Sequence, residues 1–262
     1  MFSRSIEASR IEAFSYATVK AFFNALTDLF IENSYPPDAI FNVDETGFAL
    51  GTTQSLKVLV GKEGTRKLKK ILGRQEWITA IECISASGSP LSPLVIFKAK
   101  DTNSGWIPAE TPPGWFFSTS NSGWTSNAHG YEWLTTVFDP QTQRTDRKRR
   151  LLITDGHDSH LTAKFIAYCL DKAIDLVVLP PHTSHRLQPL DVSIFSPLKR
   201  YLTNEVEKLF RLTTRRVPRV EWVSAYIRAR DRTLTSSNIL SGFRGSRIYP
   251  LSPVTILETM PP

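Results

Sequence analysis

Three aspartates stand where a carboxylate is costly. Asp44 lies inside the apolar, strand-like run 39–47; Asp155 ends the run LLIT at 151–154; Asp191 follows LPPHTSHRLQPL and opens a helix. An ionised side chain in or beside a hydrophobic strand needs a basic partner, backbone donors or a metal ion. Neither the Asp44 run nor the Asp155 run offers an adjacent Lys or Arg. A divalent cation supplies what they lack, and hard oxygen ligands favour magnesium. Taken singly, each acid has an ordinary reading: a strand end, an Asp-Gly turn, a helix N-cap. The case rests on the three together, in their order along the chain. Glu45 falls on the opposite strand face from Asp44 and is not read as a ligand.

Other residues bear on chemistry less directly. His157 and His160, then His182 and His185, invite a zinc reading. Cysteine ligands are missing, and the pairs sit on loops rather than on one helix face, so loop hydrogen bonds or phosphate contacts suit them better. The chain has 32 basic and 25 acidic residues, a net +7 that favours polyanion partners, nucleic acid first. The bases cluster at 62–74, 144–150 and 199–219. A solvated helix face is the plain reading of such clusters. Contact with a DNA backbone is favoured for some of them, and the residues assigned to it are Lys67, Lys69, Lys70, Arg149, Arg150, His160, His185, Lys199 and Arg200. Trp106, Trp115 and Trp124 are read as packing residues of a loop; stacking on unpaired bases is the second reading.

The elements that must position the acids follow from periodicity. Residues 19–34 carry Phe22, Leu26 and Phe30 at i+4 steps, an amphipathic helix stopped by Pro36-Pro37. A strand over 39–47 precedes strand-like runs LKVLV, WITAIECIS and PLVIFK within 56–98, broken by Gly and Ser-Gly-Ser-Pro, as in an antiparallel meander. Residues 99–126, rich in Gly, Pro, Ser and Thr, read as an irregular insertion, and 128–138 as helical. After the basic loop RTDRKRR come strand 151–154, helix 162–173, strand 175–180 and a largely helical stretch over 191–210 that contains Pro197. This order predicts an α/β fold, a mixed sheet flanked by helices. It divides the chain into a linker and helix (1–38), an α/β domain that carries the three acids (39–212) and a C-terminal helical segment and tail (213–262). Cys83 and Cys169 sit in apolar runs as core thiols, which suits a reducing compartment. No apolar run is long enough to span a bilayer, so a soluble intracellular protein is expected.

The element order resembles the RNase H-like fold, which implies a mixed five-stranded sheet flanked by helices in which three acids from separated segments meet at one sheet end. The blocks NVDETGF (42–48), LLITDGHDSH (151–160) and LPPHTSHRLQPLDVSIFSPLKRYL (179–202) resemble those of the pogo/Tigger-like DDE superfamily endonucleases, whose relatives include jerky and centromere protein B. GRQEWITAIECISASGSPLSPLVIFKAK (73–100) and GFRGSRIYPLSP (242–253) extend the resemblance over roughly 19–253. It implies catalytic, metal-binding roles for Asp44, Asp155 and Asp191, the last two separated by thirty-five residues. It also implies two Mg2+ or Mn2+ ions, DNA as substrate, phosphodiester hydrolysis and strand transfer, action in the nucleus, and a homo-oligomer as one form. The helix-turn-helix domains of full-length relatives are not matched here, so a truncated product is expected. Arg186 and Asp158 also depart from the pattern. An inactive nucleic-acid-binding module of the same fold is the alternative.

Overall fold

The computed structural model describes residues 15–50, 76–143, 149–156, 162–213, 217–258 and 260. The expected strand at 56–60 lies outside them, as do Lys62, Arg66, Lys67, Lys69, Lys70, Arg74, residues 144–148, His157, Asp158, His160, Arg215 and Arg216.

Helix α1 (Tyr16–Asn33) starts where the Ser15 side chain accepts the Thr18 N–H, and ends at Ser34, whose left-handed backbone returns its N–H to the Phe30 carbonyl. Strand β1 (Ile40–Leu50) runs three residues past its expected end. It pairs antiparallel with β2 (Glu76–Ser85) from Phe41 opposite Ser85 to Leu50 opposite Glu76. Strand β3 (Leu94–Lys98) extends the antiparallel meander. Beyond it comes β4 (Phe116–Ser120), parallel to β3, then helix α2 (Asn127–Trp133), which continues through a π-helical turn over Leu134–Phe138. Strand β5 (Arg150–Thr154) pairs in parallel with the other edge of β1; helix α3 (Ala163–Asp171) leads to β6 (Ile174–Val178), parallel to β5.

Among the described residues the sheet has six strands, in the order β4-β3-β2-β1-β5-β6, not the five expected. The added strand lies in the stretch read as an irregular insertion. Phe116-Phe117-Ser-Thr-Ser has no alternation to announce it; the ladder offered by β3 sets its conformation.

Strand alternation splits the apolar residues of β1 between two cores. Phe41 and Val43 join Trp133, Phe138 and Phe165 from α2 and α3 on one face. Ile40, Phe48 and Leu50 join the other face, covered by α1 and by the chain after β6. There the stretch expected as one helix is two: α4 (Pro189–Ser193), with Pro189 at its first turn, and α5 (Phe195–Thr213). Pro197 lies in the opening turn of α5, where a missing N–H costs nothing. Helices α6 (Arg219–Thr233) and α7 (Ser236–Gly245) close this face. Trp222 stacks on Tyr226 at 5.2 Å between centroids, and both meet Phe48 edge-on. The region after 213 therefore shares one core with the sheet. Among the described residues no helix is long and apolar enough to cross a membrane.

Candidate active site

The parallel ladder of β1 and β5 sets Ile40, Phe41 and Asn42 opposite Leu151, Leu152 and Ile153. The same offset carried onward brings Asp44 level with Asp155, one residue past the end of β5. Asp191 comes from the first turn of α4. One buried side chain ties the three segments together. Asn42 donates through Nδ2 to the Ile153 carbonyl at 3.0 Å, and its Oδ1 accepts the Leu190 N–H at 3.0 Å. Asn42 thus stands two residues before Asp44, bonded to the residue two before Asp155 and to the residue before Asp191. Both hydrogen bonds are buried, where an unmade one is expensive.

The electrostatics match this convergence. Asp44 is buried, with 8% of its surface exposed. Burial pushes its carboxyl well above the usual range, and the negative charges of Asp155 and Asp191 push it further. Gln188 and the Glu45 N–H, which donates to Asp44 Oδ1 at 2.7 Å, act the other way. Asp191 is exposed by surface area, yet enough protein surrounds it that desolvation is the largest influence raising its carboxyl. Lys199 opposes that rise, Asp155 adds to it, and His185 opposes it. Three acids from distant segments therefore share one field, with Lys199 and His185 at its rim.

Gln188 adds a second sign of an incomplete site. It is fully buried, and although its amide acts on Asp44, neither Nε2 nor Oε1 has a partner at hydrogen-bond length. Native interiors rarely leave such groups unsatisfied. Beside the acids, a cavity of about 280 Å³ is lined by Asp44, Glu45, Gly47, Thr79, Trp124, Thr125 and Asp155.

Comparison with known proteins gives this arrangement a family. The description "DDE superfamily endonuclease" matches residues 74–243. The chain belongs to that family. "Pogo transposable element with KRAB domain" of Mus musculus is 28% identical over 166 residues, covering 60% of this chain and 25% of the relative. A protein of Cochliobolus lunatus named "MFS-type transporter clz9" is 36% identical over 222 residues, covering 84% of this chain and 24% of the relative. The chain thus spans about a quarter of the length of these curated relatives. Among solved structures, the Mos1 Strand Transfer Complex matches with a TM-score of 0.53 at 11% identity, covering 98% of this chain and 62% of that one. The fold is RNase H-like, as in that solved chain, and the pogo-type resemblance holds.

Within this DDE domain the expected DNA contacts divide. Lys199 and Arg200 are exposed on α5, and Lys199 is close enough to act on Asp191. His185 also acts on Asp191. Arg150 is a correction: it is buried, donates to Asp139 Oδ1 at 2.7 Å, Thr142 Oγ1 at 2.8 Å and the Lys172 carbonyl at 2.9 Å, and is not placed to meet a phosphate. Its neighbour Arg149 makes a two-point contact with Asp175, at 2.7 and 2.5 Å, so its charge is already committed. Lys67, Lys69, Lys70 and His160 lie outside the described residues.

Sequence reasoning passed over Asn42 and Gln188. The signal for Asn42 was present: it shares the strand face of Asp44 and is an amide in an apolar run. Gln188 lies inside LQPLD and carries no periodic signal.

Proposed function

We propose that this chain is the catalytic core of a DNA transposase, a divalent-metal-dependent endonuclease that cuts phosphodiester bonds and joins the freed 3′-OH to another strand. The observation that carries the reading is the convergence of Asp44, Asp155 and Asp191 into one field, in which the Asp44 carboxyl is raised by burial first and by its two acidic neighbours second.

A hard divalent cation fits these residues. Burial and mutual repulsion are what such an ion relieves, and the buried Gln188 amide, with no partner at full hydrogen-bond length, acts on the same Asp44 carboxylate. Among the described residues no group of three or more His, Cys, Asp or Glu is arranged to hold a metal ion by itself. Magnesium needs none: it keeps several waters and is held by one or two carboxylates together with substrate phosphates. Asp44 and Asp155 would hold it, with Asp191 serving a second ion. Mg2+ or Mn2+, a pair in this reading, supplies activation of the attacking oxygen and charge neutralisation at the leaving oxygen.

The chain's own residues do the rest. Asn42 fixes the mutual register of the segments that carry the acids. The Glu45 N–H orients the Asp44 carboxylate. Lys199 and Arg200 meet the phosphate backbone on the α5 side. No covalent protein intermediate is needed, because water and then a DNA 3′-OH serve as nucleophiles. Action on chromosomal DNA would place the protein in the nucleus, and paired DNA ends would call for a homo-oligomer.

Nicking of a supercoiled plasmid in Mg2+ or Mn2+ tests the reading. Wild-type protein should open the plasmid and Asp155→Ala should not. Equal cutting by the two would end the proposal.

A further inference from the structure

The cavity beside the acids has a feature the cutting chemistry does not use. Trp124 lines it and is 47% exposed. The other tryptophans of the 99–126 segment are consumed in packing. Trp106 lies against Phe97 and beneath the Arg219 guanidinium at 3.9 Å, and Trp115 lies against Phe117 and Tyr226. Trp124 instead sits on a built turn. Gly123 has φ +84°, and a Cβ there would come within 2.4 Å of the Trp77 carbonyl oxygen. Thr79 Oγ1 donates to the Gly123 carbonyl at 2.7 Å, the Gly123 N–H donates to Ser120 Oγ at 2.8 Å, and Ser120 Oγ donates to the Trp124 carbonyl at 2.8 Å. Trp77 stacks on the Trp124 indole at 5.0 Å and 30°. At Gly47 any side chain would press on the ring, its Cβ meeting Cζ3 at 3.0 Å. So much scaffolding around a half-exposed indole points to a ligand. Thr125 Oγ1, also at the cavity, is buried without a hydrogen-bond partner.

We propose that this cavity receives one unpaired nucleobase of the DNA strand being cut, stacked on Trp124 and hydrogen-bonded by Thr125. The proposal rests on the endonuclease reading, because the cavity shares Asp44 and Asp155 with the acidic site. A phosphodiester held at those acids carries its neighbouring base to the cavity. The lining is acidic through Asp44, Glu45 and Asp155, which suits a neutral ring bearing amino donors. A base inside a duplex has both faces covered, so the ligand is a base out of the stack. Every base has a π-face, so the contact is indifferent to sequence.

The test uses the full chain in magnesium and two short duplexes, one blunt and one ending in a single unpaired 2-aminopurine. Wild-type protein should bind the second roughly tenfold more tightly and change its fluorescence, in line with stacking energies for single bases. Trp124→Ala should lose both effects while binding the blunt duplex as before, and Trp124→Phe should keep most of them. A preference that survives Trp124→Ala, or no preference in the wild type, overturns the proposal. Plasmid nicking on the same preparations separates the two readings. Trp124-dependent fluorescence without nicking leaves the base site standing and removes the endonuclease. Nicking with an unchanged preference in Trp124→Ala does the reverse.

Discussion

Leu190 donates its backbone N–H to Asn42 Oδ1 at 3.0 Å, joining α4 to β1 across 148 positions of chain. The other end of the same amide holds the Ile153 carbonyl of β5. Asn42→Ala should leave a donor and an acceptor buried and unpaired, at about 1–3 kcal/mol each. Urea denaturation should report that loss. Nicking should fall further than the unfolded fraction accounts for, because the three acids lose their common anchor. Asn42→Asp can still accept from Leu190, but it sets a buried acid against the Ile153 carbonyl and should lose at least as much stability as Asn42→Ala. If Asn42→Ala lost stability yet nicked normally per folded molecule, the anchoring role would be wrong.

Glu82 lies directly across the β1–β2 ladder from Asp44 and is fully buried. Arg230 on α6 holds it, with Nε 2.9 Å from Oε1 and Nη2 3.0 Å from Oε2, and the Tyr226 hydroxyl donates to the same carboxylate. The helix after residue 213 thus neutralises an acid beside the candidate site. Arg230→Met should strand that carboxylate and cost about 3–5 kcal/mol, whereas Glu82→Gln combined with Arg230→Met should recover much of it. Chemical denaturation of the three proteins measures this. Equal losses in the single and double variants would mean that packing, not charge, dominates.

Much of this arrangement is legible in the chain because local rules carry it. Asp44 and Asp155 stand out as acids in apolar strands, and β1, β2, β5 and β6 follow from apolar runs between breakers. What escapes depends on distant partners. Strand β4 exists because β3 offers a ladder, not because Phe116–Ser120 alternates. Arg150 reads as one more base of RTDRKRR, yet Asp139, Thr142 and the Lys172 carbonyl draw it inside. The pairing of Glu82 with Arg230 spans 148 positions and leaves no periodic trace. The break between α4 and α5 falls within a continuous helical pattern, and Asp191 depends on it.

The raised carboxyl of Asp44 makes stability depend on pH and, in the proposed function, on metal. In the unfolded chain it titrates at its ordinary 3.8; in the fold, burial first and Asp155 and Asp191 second hold the proton to higher pH. Between those two values the folded state binds more protons than the unfolded one, so stability falls as pH rises through that window and stays lowered above it. Asp44→Asn keeps an acceptor for the Glu45 N–H and removes the charge. Without divalent ions at pH 7 it should melt a few degrees above the parent, and the gap should narrow toward pH 4. Mg2+ should raise the melting temperature of the parent and leave the variant unmoved. Scanning fluorimetry over a pH series decides it; a variant less stable than the parent at pH 7 would contradict the assigned cost.

Lys199 and Arg150 should behave as opposites when each is changed to Ala. Lys199 is exposed on α5 and acts on Asp191, so its loss should weaken DNA binding and lower the slope of log affinity against log salt by about one. Its melting temperature should scarcely move, since an exposed lysine adds little to stability. Arg150 is buried on Asp139, whose other oxygen accepts the Tyr168 hydroxyl at 2.8 Å. Removing it leaves Asp139 without its cation and should cost about 3–5 kcal/mol. The protein that remains folded should show the parent's salt slope. Binding titrations from low to moderate salt, set beside denaturation curves, separate a phosphate contact from a buried ion pair. A shallower slope for Arg150→Ala, with stability intact, would return that residue to the DNA surface.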